Sequence, residues 1–265
     1  MNNSWILHPL SEHPLSQACS EALYLAFDEI PEDEAGGLAA AALGVGPPGE
    51  HGYSARVHAW LTRMLESLHR AKLSTVFLRR FPSPRTYERN GISASNWLEY
   101  HYAFYTITIS GLVDLALILT NEVWELGNEE KNCRWHIITK DGRLPASVIG
   151  VLKDIDSVVK RTRDLRDHRV HRGKAISFSD VFSDDVAGAF QLIDSMKTVF
   201  LQQDGGTPDW LDAAEPLLSE LSAMISAGLI ERVEGDLAEL NSHAERLFDE
   251  LTPGYLAATS RRADG

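Results

Sequence analysis

Residues 95–127 read SNWLEYHYAFYTITISGLVDLALILTNEVWELG and contain the most apolar run of the chain. Wound as a helix, this segment is apolar on nearly every face, with Ser95 or Asn96 as the expected N-cap and Gly127 as the stop. A helix that is apolar all round belongs in a core, so we expect it to lie centrally. A charge near its middle, Asp114, disfavours membrane insertion by roughly 2.5–3.5 kcal/mol, so we interpret it as a core helix and not a membrane span.

Helical spacing of apolar residues recurs along most of the chain. The other predicted helices cover residues 15–30, 53–80, 145–172, 184–201 and 210–251, the last with Gly228 and Gly235 as weak points. Strand signals are confined to 135–139 and 175–182, which could pair as one short β-ribbon. The sequence predicts an all-α helical bundle, with 1–52 as an N-terminal helix and flexible loop, 53–205 as the bundle core, and 206–265 as a helical extension that packs on it.

The charge distribution is uneven. The 265 residues carry a formal net charge of -13, which excludes a uniformly basic nucleic-acid coat protein. Residues 1–55 contribute -8 and 175–265 contribute -12, whereas 153–174 hold eight basic and four acidic groups, a net +4. Two cysteines are too few for a disulfide framework, and the N-terminus has no signal-peptide pattern, so we predict a cytoplasmic protein without a membrane partner.

Several motif matches favour no chemistry. Residues 44–49 fit a dinucleotide-binding pattern by letter, but two of the six are prolines and no strand precedes them, so a loop is expected. Glu66 and His69 have the spacing of a di-iron ligand pair, and Glu239 and His243 lie four apart, but a second Glu-x-x-His is missing. We predict no metal and no cofactor, and keep a carboxylate-rich metal bundle as the weakest alternative.

The basic island contains the strongest motif. Residues 161–173 read RTRDLRDHRVHRG. His168 and His171 could in principle share a metal, but four nearby arginines oppose a dication. Arg166 and His171 are five residues apart, which is about 140° around a straight helix. Their action on one substrate therefore requires either an unwound helix end before Gly173 or an Arg side chain that reaches round the helix.

This motif resembles the R-x(4–6)-H motif of the HEPN superfamily, the higher-eukaryote and prokaryote nucleotide-binding domains. Asp167 fits the polar position after the Arg, and residues 100–127 are similar to a bacterial HEPN subgroup; the likeness covers about 95–205. Arg163 and His168 form an overlapping match. The resemblance implies a helical bundle, a homodimer with two motifs face to face, and a metal-independent endoribonuclease of a toxin or defence system, with an antitoxin or other defence protein as a further partner.

The resemblance also implies roles for individual residues. His171 would act as general base on a ribose 2′-OH and Arg166 would stabilise charge on the phosphoryl oxygens, which makes RNA the substrate. Asp167 and His168 would support these two residues. Asp114 is a further supporting candidate on its residues alone: a carboxylate in the most apolar helix is expected to be buried and paired, either in a core salt bridge or hydrogen bond, the preferred interpretation, or as an orienting group for the site Arg or His. Backbone phosphates would be held by Arg163, Arg169 and Arg172. Toxin members often carry a modifiable Tyr two residues after the His, where this chain has Gly173.

The alternative is a non-catalytic HEPN module that binds a nucleotide or a protein. In that interpretation the Arg and His cluster is a helix C-terminus favoured by the helix dipole, with Arg166 salt-bridged to Asp114.

Overall fold

The computed structural model describes residues 8–29, 50–81, 84–172, 178, 182–202 and 208–263, and of 26–29, 50–51, 84–85, 164–172 and 263 it describes the backbone only. The protein is all-α, as predicted. The helices are α1 (Pro14–Glu29), α2 (Glu50–Leu78), α3 (Pro84–Arg89), α4 (Ala94–Ser110), α5 (Leu112–Val123), α6 (Trp135–Ile138), α7 (Ala146–Arg172), α8 (Asp184–Gln202) and α9 (Asp209–Ala263). Two short 3₁₀ turns cover Pro9–Glu12 and Glu130–Asn132.

The central apolar segment forms two helices, because the single helix predicted to end at Gly127 is interrupted at Gly111 and ends at Val123. The N-cap of α4 is Ser93, two residues before the first of the two predicted candidates, Ser95. The Ser93 hydroxyl accepts the Asn96 N–H at 3.1 Å, and the Asn96 side chain accepts the Ser93 N–H at 3.3 Å. This reciprocal pair satisfies two backbone donors at the start of α4.

Two further predictions, the extent of the last helix and one short strand, differ from the structure. Helix α9 runs unbroken from Asp209 to Ala263, through both predicted weak points and through Pro216 and Pro253. The predicted strand at 135–139 is wrong: Trp135–Ile138 is helical, and the Thr139 N–H bonds the Trp135 carbonyl at 3.0 Å. The β-branched residues therefore did not make this segment a strand, because backbone hydrogen bonds within the segment form a short helix instead. Most of 175–182 and all of 44–49 lie outside the described residues.

The chain divides into two compact units. Unit 1 comprises Met1–His69, Gly111–Arg161 and Glu239–Gly265, and unit 2 comprises Arg70–Ser110 and Thr162–Ala238. Helices α2, α7 and α9 contribute residues to both. The predicted boundaries at 52 and 205 stay a prediction. Large buried side chains of unit 1 are Tyr53, Leu61, Met64, Leu117, Leu152, Phe248 and Tyr255. Those of unit 2 are Leu98, Tyr102, Tyr105, Phe178, Phe190, Ile225 and Leu229.

Two helical stretches have the length and apolarity of a membrane span. In Ala94–Val123 the apolar window is 67% buried, as in the core helix of a folded domain, and in Asp209–Arg262 it is 17% buried. Length and composition alone make these two stretches weak evidence for a membrane.

A repeated His-Pro-Leu sequence, at 8–10 and at 13–15, fixes the N-terminal segment of unit 1. In each copy Nδ1 of the imidazole accepts the N–H two residues on, that of Leu10 at 3.3 Å and that of Leu15 at 3.1 Å. The proton is therefore on Nε2, which donates to α9. His8 bonds Asn241 at 3.1 Å and His13 bonds Asp249 at 3.1 Å. Each imidazole thus caps a helical turn and ties it to α9.

Replacing His13 tests this arrangement. His13→Ala removes the N-cap acceptor of α1, so we expect the free energy of unfolding to fall by about 1 kcal/mol in urea denaturation. His13→Asn is the matched variant: it keeps a capping acceptor and loses mainly the bond to Asp249, whose side chain is exposed and adds little. Equal losses in both variants would contradict the capping role.

Candidate functional site

The predicted motif lies at the C-terminal end of α7. This helix buries Val148, Leu152, Ile155 and Val159, as its spacing predicted. Its backbone stays helical through Arg172, so the first of the two alternatives, an unwound helix end, is not present in α7. The Arg166 and His171 positions are therefore about 140° apart around one helix.

Most side chains of the motif lie outside the described residues, namely those of Arg166, Asp167, His168, Arg169, His171 and Arg172. Arg163 is described and is half-buried. Its side chain has an interaction within the structure. The positions from Thr162 onward belong to unit 2.

Asp114 does not have the predicted burial, because its side chain is exposed. It occupies the first turn of α5, where a carboxylate is favoured by the helix dipole and can stay in water. The apolar residues around Asp114 led to the prediction that it is buried, but the orientation of α5 leaves this one side chain exposed. A core salt bridge or a buried orienting role for Asp114 is therefore wrong.

Among the described residues, unit 2 has three buried carboxylates, Asp236 and Asp194, each 3% exposed, and Glu88, and none of them was predicted. Asp236 accepts the Tyr105 hydroxyl at 3.0 Å and Nε of Arg232 at 3.2 Å. Burial and the negative charge of Asp236 raise the pKa of Tyr105, so this phenol stays protonated and donates. The burial of Asp236 could have been predicted from the sequence, because Asp236 continues the apolar stripe of Ile225, Leu229 and Val233 on α9.

Asp194 supports the start of α4. Its carboxylate accepts the Ser95 N–H at 2.6 Å, which places a negative charge at a helix N-terminus. Asp194 lines an open recess of about 270 Å³ in unit 2, together with Leu78, Phe81, Leu98 and Lys197. The two charged groups named in this recess, Asp194 and Lys197, both have hydrogen-bond or ion-pair partners, so neither is a free reactive group.

Lys197 shows this most clearly. Its ammonium lies 2.9 Å from Glu88 and 2.9 Å from Glu215. Desolvation opposes the charge, but these two carboxylates raise the pKa of Lys197 overall. The amine therefore stays charged and is unsuited to act as a nucleophile.

A metal centre has no support among the described residues, where no group of three or more His, Cys, Asp or Glu side chains could hold an ion. Glu239 of the predicted alternative pair binds Arg161 at 2.9 Å, and His243 contacts Arg246 at 3.4 Å. The Glu66 side chain is exposed. These contacts are those of a solvated helix face.

The two thiols are poor nucleophiles. Burial raises the pKa of Cys19 to about 12, against a weak opposing hydrogen bond from Tyr255. Burial and the charges of Glu122 and Glu130 raise the pKa of Cys133 to about 11. Both groups are protonated at neutral pH, and neither supports thiolate chemistry.

Thiol titration checks this directly. In the folded protein at pH 8 we expect both cysteines to react with Ellman's reagent far more slowly than in 6–8 M urea (roughly, a fully denaturing concentration), because the thiolate fraction and access are both small. Cys133 should react before Cys19. Fast modification of Cys19 in the folded state would contradict the assigned burial.

No family model, curated protein or solved structure matches this chain.

Proposed function

We propose that this chain is a metal-independent endoribonuclease of HEPN type that works as a homodimer. The observation that carries the proposal is the helical backbone of α7 through the whole R-x(4)-H motif. Because the two positions point to different sides of one helix, a single motif presents Arg166 and His171 to one phosphate poorly. Two motifs facing each other in a dimer let the His171 of one protomer meet the Arg166 of the other.

The proposed chemistry uses only these side chains and RNA. Neutral His171 takes the proton of a ribose 2′-OH, and the 2′ oxygen forms a bond to the adjacent phosphorus. The bond from phosphorus to the 5′ oxygen breaks, and that oxygen takes a proton from solvent. Arg166 stabilises the charge on the non-bridging oxygens through its planar fork. The products are a 2′,3′-cyclic phosphate and a 5′-hydroxyl end.

Asp167 and His168 share the His171 side of the helical register, and Arg163, Arg169 and Arg172 supply further positive charge along the same helix. We propose these residues as supporting and phosphate-binding groups. Asp114 has no part in the proposal, since it is exposed.

The position of the arginines in the last turns of α7, where the helix dipole favours cations, favours a second candidate function, a non-catalytic module that binds a nucleotide or a protein. In that case the arginines serve binding alone. An antitoxin or defence partner stays a prediction in either case.

Cleavage of labelled RNA in EDTA tests the proposal. Wild type should cut and leave 2′,3′-cyclic phosphate ends, and it should not cut 2′-O-methyl RNA, since the nucleophile is blocked. His171→Ala and Arg166→Ala should each lose on the order of a hundredfold in rate or more. His136→Ala and Arg134→Ala, both on exposed residues of unit 1, are the controls.

Mixing the two inactive variants separates a composite site from a site within one protomer. A mixed dimer has one site that combines intact Arg166 from one protomer with intact His171 from the other, so activity should return to about a quarter of wild type. No recovery on mixing would contradict the composite site. No wild-type cleavage of varied RNAs would favour the binding module, and activity lost in EDTA would favour a metal.

A further inference from the structure

Unit 2 contains a cluster of aromatic rings that the function proposed above does not use, with members on α2, α3 and α4 and in the segment after α2. The His101 ring stacks on Phe77 with centroids 4.6 Å apart, and it contacts Trp97 at 4.3 Å and Tyr100 at 5.2 Å. Trp97 continues the contacts to two more rings. These are Phe81 at 5.9 Å and Tyr87 at 5.3 Å. We name Phe77, Phe81, Tyr87, Trp97, Tyr100 and His101 the aromatic cluster.

Part of the aromatic cluster is open to solvent. Tyr100 is 63% exposed and Phe77 is 43% exposed. Phe104, one turn after Tyr100 on α4, is 40% exposed. Residues four apart on a helix lie about 6 Å apart on one face, so Tyr100 and Phe104 offer two neighbouring ring surfaces. Several exposed rings together are unusual on a folded surface and indicate an interaction site.

His101 holds these rings in place. It is 8% exposed, and its buried Nε2 has no hydrogen-bond partner among the described residues. Burial lowers the pKa of His101, so the ring is neutral at pH 7 and packs as a flat aromatic group. The Trp97 indole is fixed separately, because its N–H donates to the Phe77 carbonyl at 2.9 Å.

The charge beside the aromatic cluster selects the partner. Residues 67–81 contain Arg70, Lys72, Arg79 and Arg80 and no Asp or Glu, a net +4 that stands out in a chain of -13. All four side chains are exposed, and Arg79 forms an ion pair with Glu234. Arg80 directly precedes Phe81 of the aromatic cluster in the chain, and aromatic faces with a neighbouring cation match the bases and phosphates of an unpaired strand.

We propose that the aromatic cluster with Phe104 and Arg80 is a binding platform for single-stranded RNA. Bases stack on Tyr100 and Phe104, and Arg80, just after the end of α2, binds a backbone phosphate. The inference rests on the proposed function for the choice of RNA and names its substrate class as unpaired strands, since bases in a duplex cannot stack on protein rings. The motif end of α7 belongs to the same unit.

The test is the fluorescence anisotropy of a fluorescein-labelled 2′-O-methyl oligouridine of about 15 nucleotides, a site size that stacking proteins typically cover. The ligand resists cleavage, so binding is measured apart from turnover. Tyr100→Ala should weaken binding roughly fivefold or more, since each stacked base contributes that much. Tyr100→Phe keeps the ring and should bind like wild type. Phe104→Ala provides a second variant, and circular dichroism confirms that each variant is folded.

Salt dependence tests the contribution of Arg80. Arg80→Ala should reduce the slope of log K against log salt by about 0.7, the value for one phosphate contact on a single strand. Leu192→Ala, on an exposed residue of α8 in the same unit, is the control that should change neither affinity nor slope.

Three results would overturn the platform: no wild-type binding to the oligouridine, equal affinity for a duplex RNA, or Tyr100→Ala within twofold of wild type (a change of roughly 0.4 kcal/mol). The two proposals fail separately. Cleavage that persists in Tyr100→Ala without loss of single-strand preference removes the platform and keeps the nuclease, whereas ring-dependent binding without cleavage in EDTA removes the nuclease and keeps the platform.

Discussion

Burial of the apolar segment Ala94–Val123 is the constraint on which both compact units depend. Its first half provides Leu98, Tyr102 and Tyr105 to unit 2, and its second half provides Leu117 and Leu119 to unit 1. Fully burying one such side chain contributes about 1.5–3 kcal/mol, which local propensity cannot match.

The same constraint explains where the polar groups are. The start of α4 lies beside the core, so its backbone donors are satisfied by Ser93 and by the buried Asp194 carboxylate. The buried Asp236 likewise requires Tyr105 and Arg232. An unpaired buried carboxylate would cost several kcal/mol. These carboxylates thus serve the fold, and the open face of α4 is left for Tyr100 and Phe104.

Helix positions followed from the sequence more readily than the environment of single side chains. The spacing of Val148, Leu152 and Ile155 predicted α7, and Pro145 before it marked its start. The exposure of Asp114 did not follow, because which face of a helix turns inward depends on its neighbours, whereas the burial of Asp236 could have been predicted from the apolar stripe of α9. The six-ring cluster joins residues of separate helices, so spacing along one helix could not reveal it. The motif of α7 could be recognised in the sequence from its residue types alone, which do not give the arrangement of its side chains.

Photocross-linking tests the central claim, that unit 2, which contains both the aromatic cluster and the motif of α7, binds an unpaired RNA strand. Wild-type protein in EDTA is irradiated with single-stranded RNA containing 4-thiouridine, and the cross-linked peptides are identified by mass spectrometry. Four-thiouridine reacts only with side chains in contact with the base. We expect cross-links within residues 70–110 and 162–172, both of unit 2. Cross-links confined to unit 1, such as residues 239–263, or equal yields with a duplex, would contradict the account.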